Sequence, residues 1–157
     1  MIMAYELERL QAIDLELPPI RLTGRGVVNY QIVDDLLFIG GVGPLNEKGE
    51  LEFVGTIGRE LTVEDGCRAA RLAGINVLQR IKDALGGFDR VEAVLRCYVC
   101  VAAVPGFGEI YQVADGFSDV LTEALGARGV HARNAMGAAT LEGNSPVLCD
   151  AIVQIRK

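Results

Sequence analysis

Apolar residues recur along the chain with changing periods, and each change of period marks an element. Leu72, Ile75, Leu78, Ile81 and Leu85 share one helical stripe. Thr62 stands where an N-cap is needed, Asp65 three residues later completes a capping box, and Gly86-Gly87 closes the helix. A second stripe carries Ile110, Val113, Phe117, Val120, Leu121 and Ala124, opening after Pro105-Gly106 and stopping near Gly126. Between them "RVEAVLRCYVCVAAV" reads as a long strand. Its alternation puts Val91, Ala93, Leu95, Cys97, Val99 and Val101 on one face, and Glu92, Val94, Arg96, Tyr98, Cys100 and Ala102 on the other.

The remaining runs are also strand-like. "GVVNYQIVDDLLFIGG" reads as a hairpin turning at Asp34-Asp35, and "GPLNEKGELEFVG" as an excursion with a turn at Asn46-Glu47-Lys48-Gly49. "VHARNAMGAATL" and "PVLCDAIVQI" close the chain, joined through "EGNSP". At the other end, Tyr5, Leu7, Leu10 and Ile13 suggest a short appended helix or arm over residues 1–20, stopped by Pro18-Pro19. The expected order over residues 21–157 is β-β-α-β-α-β-β, one α+β domain with both helices on one face of a sheet. The opposite face of the long strand is too apolar for water alone, so self-association is its simplest cover.

Composition narrows the function classes. With 157 residues there is length for a single compact domain with a real core. A net charge of −6, a sequence pI near 4.8 and scattered basic residues argue against a nucleic-acid-binding face. No apolar run approaches bilayer length and the start is unlike a signal peptide, so no membrane partner and a cytoplasmic location are expected. Cys67, Cys97, Cys100 and Cys149 are read as small buried apolar residues. Cys97 and Cys100 lie three apart on a strand and so point to opposite faces, which fits neither a shared metal nor a disulfide.

The candidate chemistry lies in "GVHARNAMG". His131, the sole histidine, and Arg133 are two apart on a strand, which puts both on one face with Cα atoms roughly 6.5–7 Å apart. Val130, Ala132, Asn134 and Met136 take the other face, and the small Ala135 and Gly137 leave room for a ligand. Arg133 suits a carboxylate because guanidinium is a planar two-donor fork that stays charged; the alternative is a salt bridge to Asp150 or to another subunit. His131 suits acid–base work, the alternative being a hydrogen-bonded interface histidine. Arg96 and Tyr98 are read as interface residues.

Two stretches, "GELEFVGTIGRELTVEDGCRAARLAGINVLQRIKDALGGFDRV" and "VPGFGEIYQVADGFSDVLTEALGARGVHARNAMGAATL", resemble the longer branch of the RidA (YjgF) family, also called endoribonuclease L-PSP-like. The resemblance runs from about Val28 to Ile155. It implies a chorismate-mutase-like fold of the bacillus type, a homotrimer whose sheets form a central barrel, and ligand clefts at the subunit interfaces; with no second Cys-x-x-Cys and one histidine, no metal is expected, and no cofactor either. It also implies a catalytic and substrate-binding role for Arg133, which matches the strand arginine that holds a substrate carboxylate during enamine or imine deamination. Tyr30 resembles the cleft tyrosine, Gly41 to Pro44 the Gly-x-x-Pro turn that offers backbone contacts, and Asp115 lies near a helix position used by some members. Tyr30 as a packing residue and Asp115 as a helix-face acid are the plainer alternatives.

Three positions depart from the family pattern. Leu148 falls where a glutamate helps hold the attacking water, Ala135 replaces a cysteine, and Gly40 replaces a serine. An apolar side chain cannot orient water, so His131 is the candidate to take the glutamate's place. Two functions follow as expectations: hydrolysis of enamine or imine intermediates to a ketoacid and ammonia, or non-catalytic binding of a small carboxylate metabolite. A ribonuclease fits the acidic charge and single histidine poorly.

Overall fold

A computed structural model describes residues 26–157; the arm expected over residues 1–20 lies outside them. The elements are β1 (Tyr30–Val33), β2 (Leu36–Val42), α1 (Val63–Leu85), β3 (Val91–Ala102), α2 (Ile110–Leu125), β4 (Ala132–Ala138) and β5 (Val147–Ile155). This is the expected β-β-α-β-α-β-β order. Thr62 and Asp65 form the capping box reciprocally, and Gly86 closes α1. The hairpin turns at Asp34-Asp35, and Asn46 builds the following turn by accepting from the Lys48 and Glu50 amides, each at 3.0 Å.

The five strands lie in the order β1-β2-β5-β3-β4, and only β3 and β4 run parallel. Parallel neighbours need a crossover, which α2 supplies. Both helices cover one face, where Cys97, Val99, Val101, Cys149, Ala151 and Val153 meet Ala69, Val77, Phe117 and Leu121 in one buried cluster. On the other face Tyr98, Cys100, Leu148, Asp150 and Ile152 are half-buried, and Phe38 and Met136 are exposed.

Strict alternation along β3 fails at its start. Pairing with β5 shifts between Val91 and Ala93 and again between Val94 and Arg96. Such irregularities reverse the facing of the side chains that follow. Val94 is therefore buried and Leu95 exposed, the reverse of the expectation from simple alternation.

The two helices approach closely at Gly116. A Cβ there would lie 2.2 Å from the Cys67 carbonyl oxygen, so no side chain fits. Asp115 and Ser118 flank this α1–α2 contact point in the sequence.

Candidate functional site

The site begins with the register of an edge strand. Arg133 is paired with Cys97, a core residue on the helix-covered face, and parallel neighbours in register project to the same side. The Arg133 side chain therefore rises toward α2 rather than toward the open face, and His131 follows it. On α2, Asp115 and Ser118 are three residues apart and so share a helix face.

These four side chains meet. Arg133 Nη1 donates to Asp115 Oδ1 at 2.9 Å and to Ser118 Oγ at 2.9 Å. Ser118 Oγ also lies 3.0 Å from His131 Nε2, and His131 Nδ1 lies 2.6 Å from the Gly129 carbonyl oxygen. A carbonyl only accepts, so Nδ1 carries the proton and Nε2 is left as an acceptor for the Ser118 hydroxyl. The Phe117 ring meets the imidazole edge-on with centroids 6.4 Å apart. Gly129 can present its carbonyl there because it has no side chain: a Cβ would sit 2.2 Å from the Leu121 carbonyl oxygen.

Arg133 has both Nη1 protons engaged, while Nε and Nη2 make no hydrogen bond among the described residues. Those two nitrogens form the side edge of the guanidinium, the fork that a carboxylate can grip with two oxygens. With 21% of the Arg133 side chain exposed, the group is oriented yet reachable.

The other candidate positions lie elsewhere. Tyr30 and Gly41 belong to β1 and β2, at the opposite edge of the sheet from β4. Four strand spacings separate the β1 and β4 edges, roughly 19 Å at about 4.8 Å each. Leu148 touches the Gly41 position, where a Cβ would meet its Cδ2 at 3.4 Å, so it belongs to that second group. Gly40 is confined: a Cβ there would stand 3.2 Å from the Val28 carbonyl and 3.3 Å from that of Asn29. Asp150 is not the partner of Arg133. It pairs with Tyr98 on the open face, where burial holds its carboxyl above the usual range and Arg96 partly offsets this.

Sequence reasoning missed the residues that support both edges. Ser118 left a signal, its i,i+3 spacing from Asp115. Asn76 and Arg80 left one too, as polar residues one turn apart beside the apolar stripe of α1. Pairing of β2 with β5 shifts between Ile39 and Val42, which diverts the carbonyls there from the ladder. Arg80 Nη1 donates to Gly40 O at 2.6 Å and Gly41 O at 3.2 Å, and Asn76 Nδ2 donates to Gly43 O and Leu45 O, each at 3.1 Å. Burial lowers the Arg80 guanidinium to about 10, so it remains a cation at neutral pH.

The thiols are quiet. Burial pushes Cys97 up to about 12 and raises Cys149 well above the usual thiol value; Cys67 and Cys100 are raised for the same main reason. Among the described residues no group of three or more His, Cys, Asp or Glu side chains could hold a metal ion.

Comparison with known proteins adds an independent line. Residues 7–154 match the family model described as "YjgF/chorismate-mutase-like, putative endoribonuclease". Protein TCP17 of Trypanosoma cruzi is 35% identical over 147 residues, covering 93% of this chain and 91% of that one. The crystal structure of Atu1372 from Agrobacterium tumefaciens, a protein of unknown function, matches with a TM-score of 0.85 at 34% identity over 97% of this chain and 92% of its own. That of a Shewanella oneidensis protein, called a "putative endoribonuclease", gives 0.86 at 30% identity over 95% and 98%.

Proposed function

This chain belongs to the YjgF/chorismate-mutase-like family, and from that premise we propose that it binds a small carboxylate metabolite at Arg133 and hydrolyses its enamine or imine form to a ketoacid and ammonia. The observation that carries this reading is the free side edge of Arg133, whose other edge is held by Asp115 and Ser118. Asp115 thus orients the anchor; it does not itself receive an anionic substrate. The ligand cleft forms between copies of a homotrimer, where the β4 edge of one subunit meets the Tyr30 and Gly41 edge of the next. Separation of those two groups within one chain supports a shared cleft. The protein acts in the cytoplasm; no helix of the described residues is long and apolar enough to cross a membrane.

An iminium carbon is already electrophilic, so the protein mainly has to hold the carboxylate, deliver water and exclude competing reactions. The test is to generate 2-aminoacrylate in situ and follow its loss. Acceleration over free hydrolysis, abolished by Arg133→Ala, is expected; no acceleration by the wild-type protein removes the hydrolase.

Leu148 favours a second reading, a binding module without turnover. It stands where an acid would hold water, and it cannot. Saturable binding of small carboxylates that depends on Arg133, with no product formed, would select it.

A further inference from the structure

Arg80 is a buried cation with no acid beside it. The residue is 8% exposed, and among the described residues its Nε makes no hydrogen bond and no carboxylate pairs with it. Burial alone shifts its guanidinium. Its partners among the described residues are two consecutive backbone carbonyls, Gly40 O at 2.6 Å and Gly41 O at 3.2 Å, both held by Nη1. One turn earlier, Asn76 holds two carbonyls with a neutral amide, which avoids the cost of burying a charge. Two carbonyls therefore do not by themselves call for a guanidinium.

The placement of the charge supplies a reason. A Cβ on Gly40 would stand 3.6 Å from Arg80 Nη1, so the guanidinium packs against the side of Gly40 that a side chain would take, where the family pattern has a serine. In a trans peptide the N–H points opposite to the C=O, and no cis bond occurs among the described residues. With Gly40 O turned to Arg80, the Gly41 amide points away from α1, and Gly41 itself is exposed. The cation thus stands at the carbonyl end of this peptide while the N–H end faces outward, which favours an anion on that side.

We propose that Arg80 is a positioning residue of the carboxylate site: from behind the Gly40–Gly41 peptide it fixes the turn and supplies positive charge, and the bound carboxylate is its counter-ion. The proposal rests on the carboxylate reading above and adds a second guanidinium, on the other half of the cleft, that acts without touching the ligand. Arg133 grips the anion directly. Arg80 acts through a peptide and from a buried position, where solvent and salt screen its charge weakly.

The experiment measures pyruvate binding by calorimetry and stability by urea unfolding, at pH 7, in the full-length wild type, Arg80→Gln, Arg80→Lys and Arg133→Ala. Glutamine keeps an N–H donor for the carbonyls but no charge; lysine keeps the charge with a poorer fit. Arg80→Gln should bind pyruvate about tenfold more weakly. Arg80→Lys should stay within about threefold of the wild type, even where it is the less stable of the two. Wild-type affinity in Arg80→Gln would overturn the proposal. So would equal losses in both variants, or losses that follow stability, because Arg80 would then be a structural residue only. Either result leaves the anchor standing if Arg133→Ala still loses affinity; a wild type that does not bind pyruvate overturns the anchor and this proposal together.

Discussion

The two edges of the sheet are built for different work. At the β4 edge, side chains carry the chemistry: Arg133, His131, Ser118 and Asp115 form one connected group under α2. At the β1–β2 edge the backbone is what is organised, with Arg80 and Asn76 reaching from α1 to hold the carbonyls of Gly40, Gly41, Gly43 and Leu45. One edge presents a cation with a free fork, the other a fixed turn beside Tyr30. Under the proposed shared cleft, the contrast teaches that a single copy would hold two halves of different kinds rather than one weak site.

The largest effect should come from the cation. Arg133→Ala removes a charge-assisted bidentate contact, and a loss of about 1.5–3 kcal/mol in carboxylate binding, roughly 10- to 150-fold in Kd, is expected by calorimetry. Lysine cannot rescue it fully, because its ammonium cannot reproduce the fork. Equal affinities of the wild type and Arg133→Ala would collapse the distinction between the edges.

Breaking the other edge should cost stability first. Arg80→Met keeps the bulk of the side chain but leaves the Gly40 and Gly41 carbonyls without their donor, and about 1–3 kcal/mol should be lost in urea unfolding. A variant as stable as the wild type would show that the turn does not depend on α1.

A smaller effect belongs to the open face between the edges. Because burial holds the folded-state carboxyl of Asp150 above its ordinary value of 3.8, its stabilising contribution is present below that pH and lost as pH rises through the folded value. Asp150→Asn should therefore raise the urea midpoint at pH 7, with the gain closing at pH 3, where the wild-type carboxyl is neutral too. Smallest of all, Cys97 and Cys149 should stay unmodified by thiol reagents at pH 8 until the chain unfolds, since burial suppresses their thiolates.

The sequence makes the helices legible because their caps and stripes are local signals. Thr62, Asp65 and Gly86 needed nothing from the rest of the chain. Leu95 and Val94 were misassigned because the slips that exchange them arise from pairing with β5, which no window along β3 contains. The same holds at the site. His131 and Arg133 are two apart, so their shared face could be read directly, and the family resemblance gave Arg133 a role. The partner of Arg133 could not be read directly: Asp150 and Asp115 were both acids within reach of the pattern, and only the sheet register shows that Asp150 faces away. Ser118 stayed hidden because a serine on a helix is ordinary until the packing of α2 beside β4 sets its hydroxyl against Arg133 and His131.

The central claim is that the cleft joins the β4 edge of one copy to the β1–β2 edge of another. It is tested most directly by mixing two variants, Arg133→Ala and Tyr30→Ala, each expected to bind pyruvate poorly alone, after exchanging their subunits. In a head-to-tail ring, random mixing at equal amounts should restore about a quarter of the wild-type sites, those pairing an intact Arg133 with an intact Tyr30 from its neighbour. Recovery of that fraction in a calorimetric titration is the predicted result. No recovery from a mixture shown to have exchanged subunits would contradict the shared cleft.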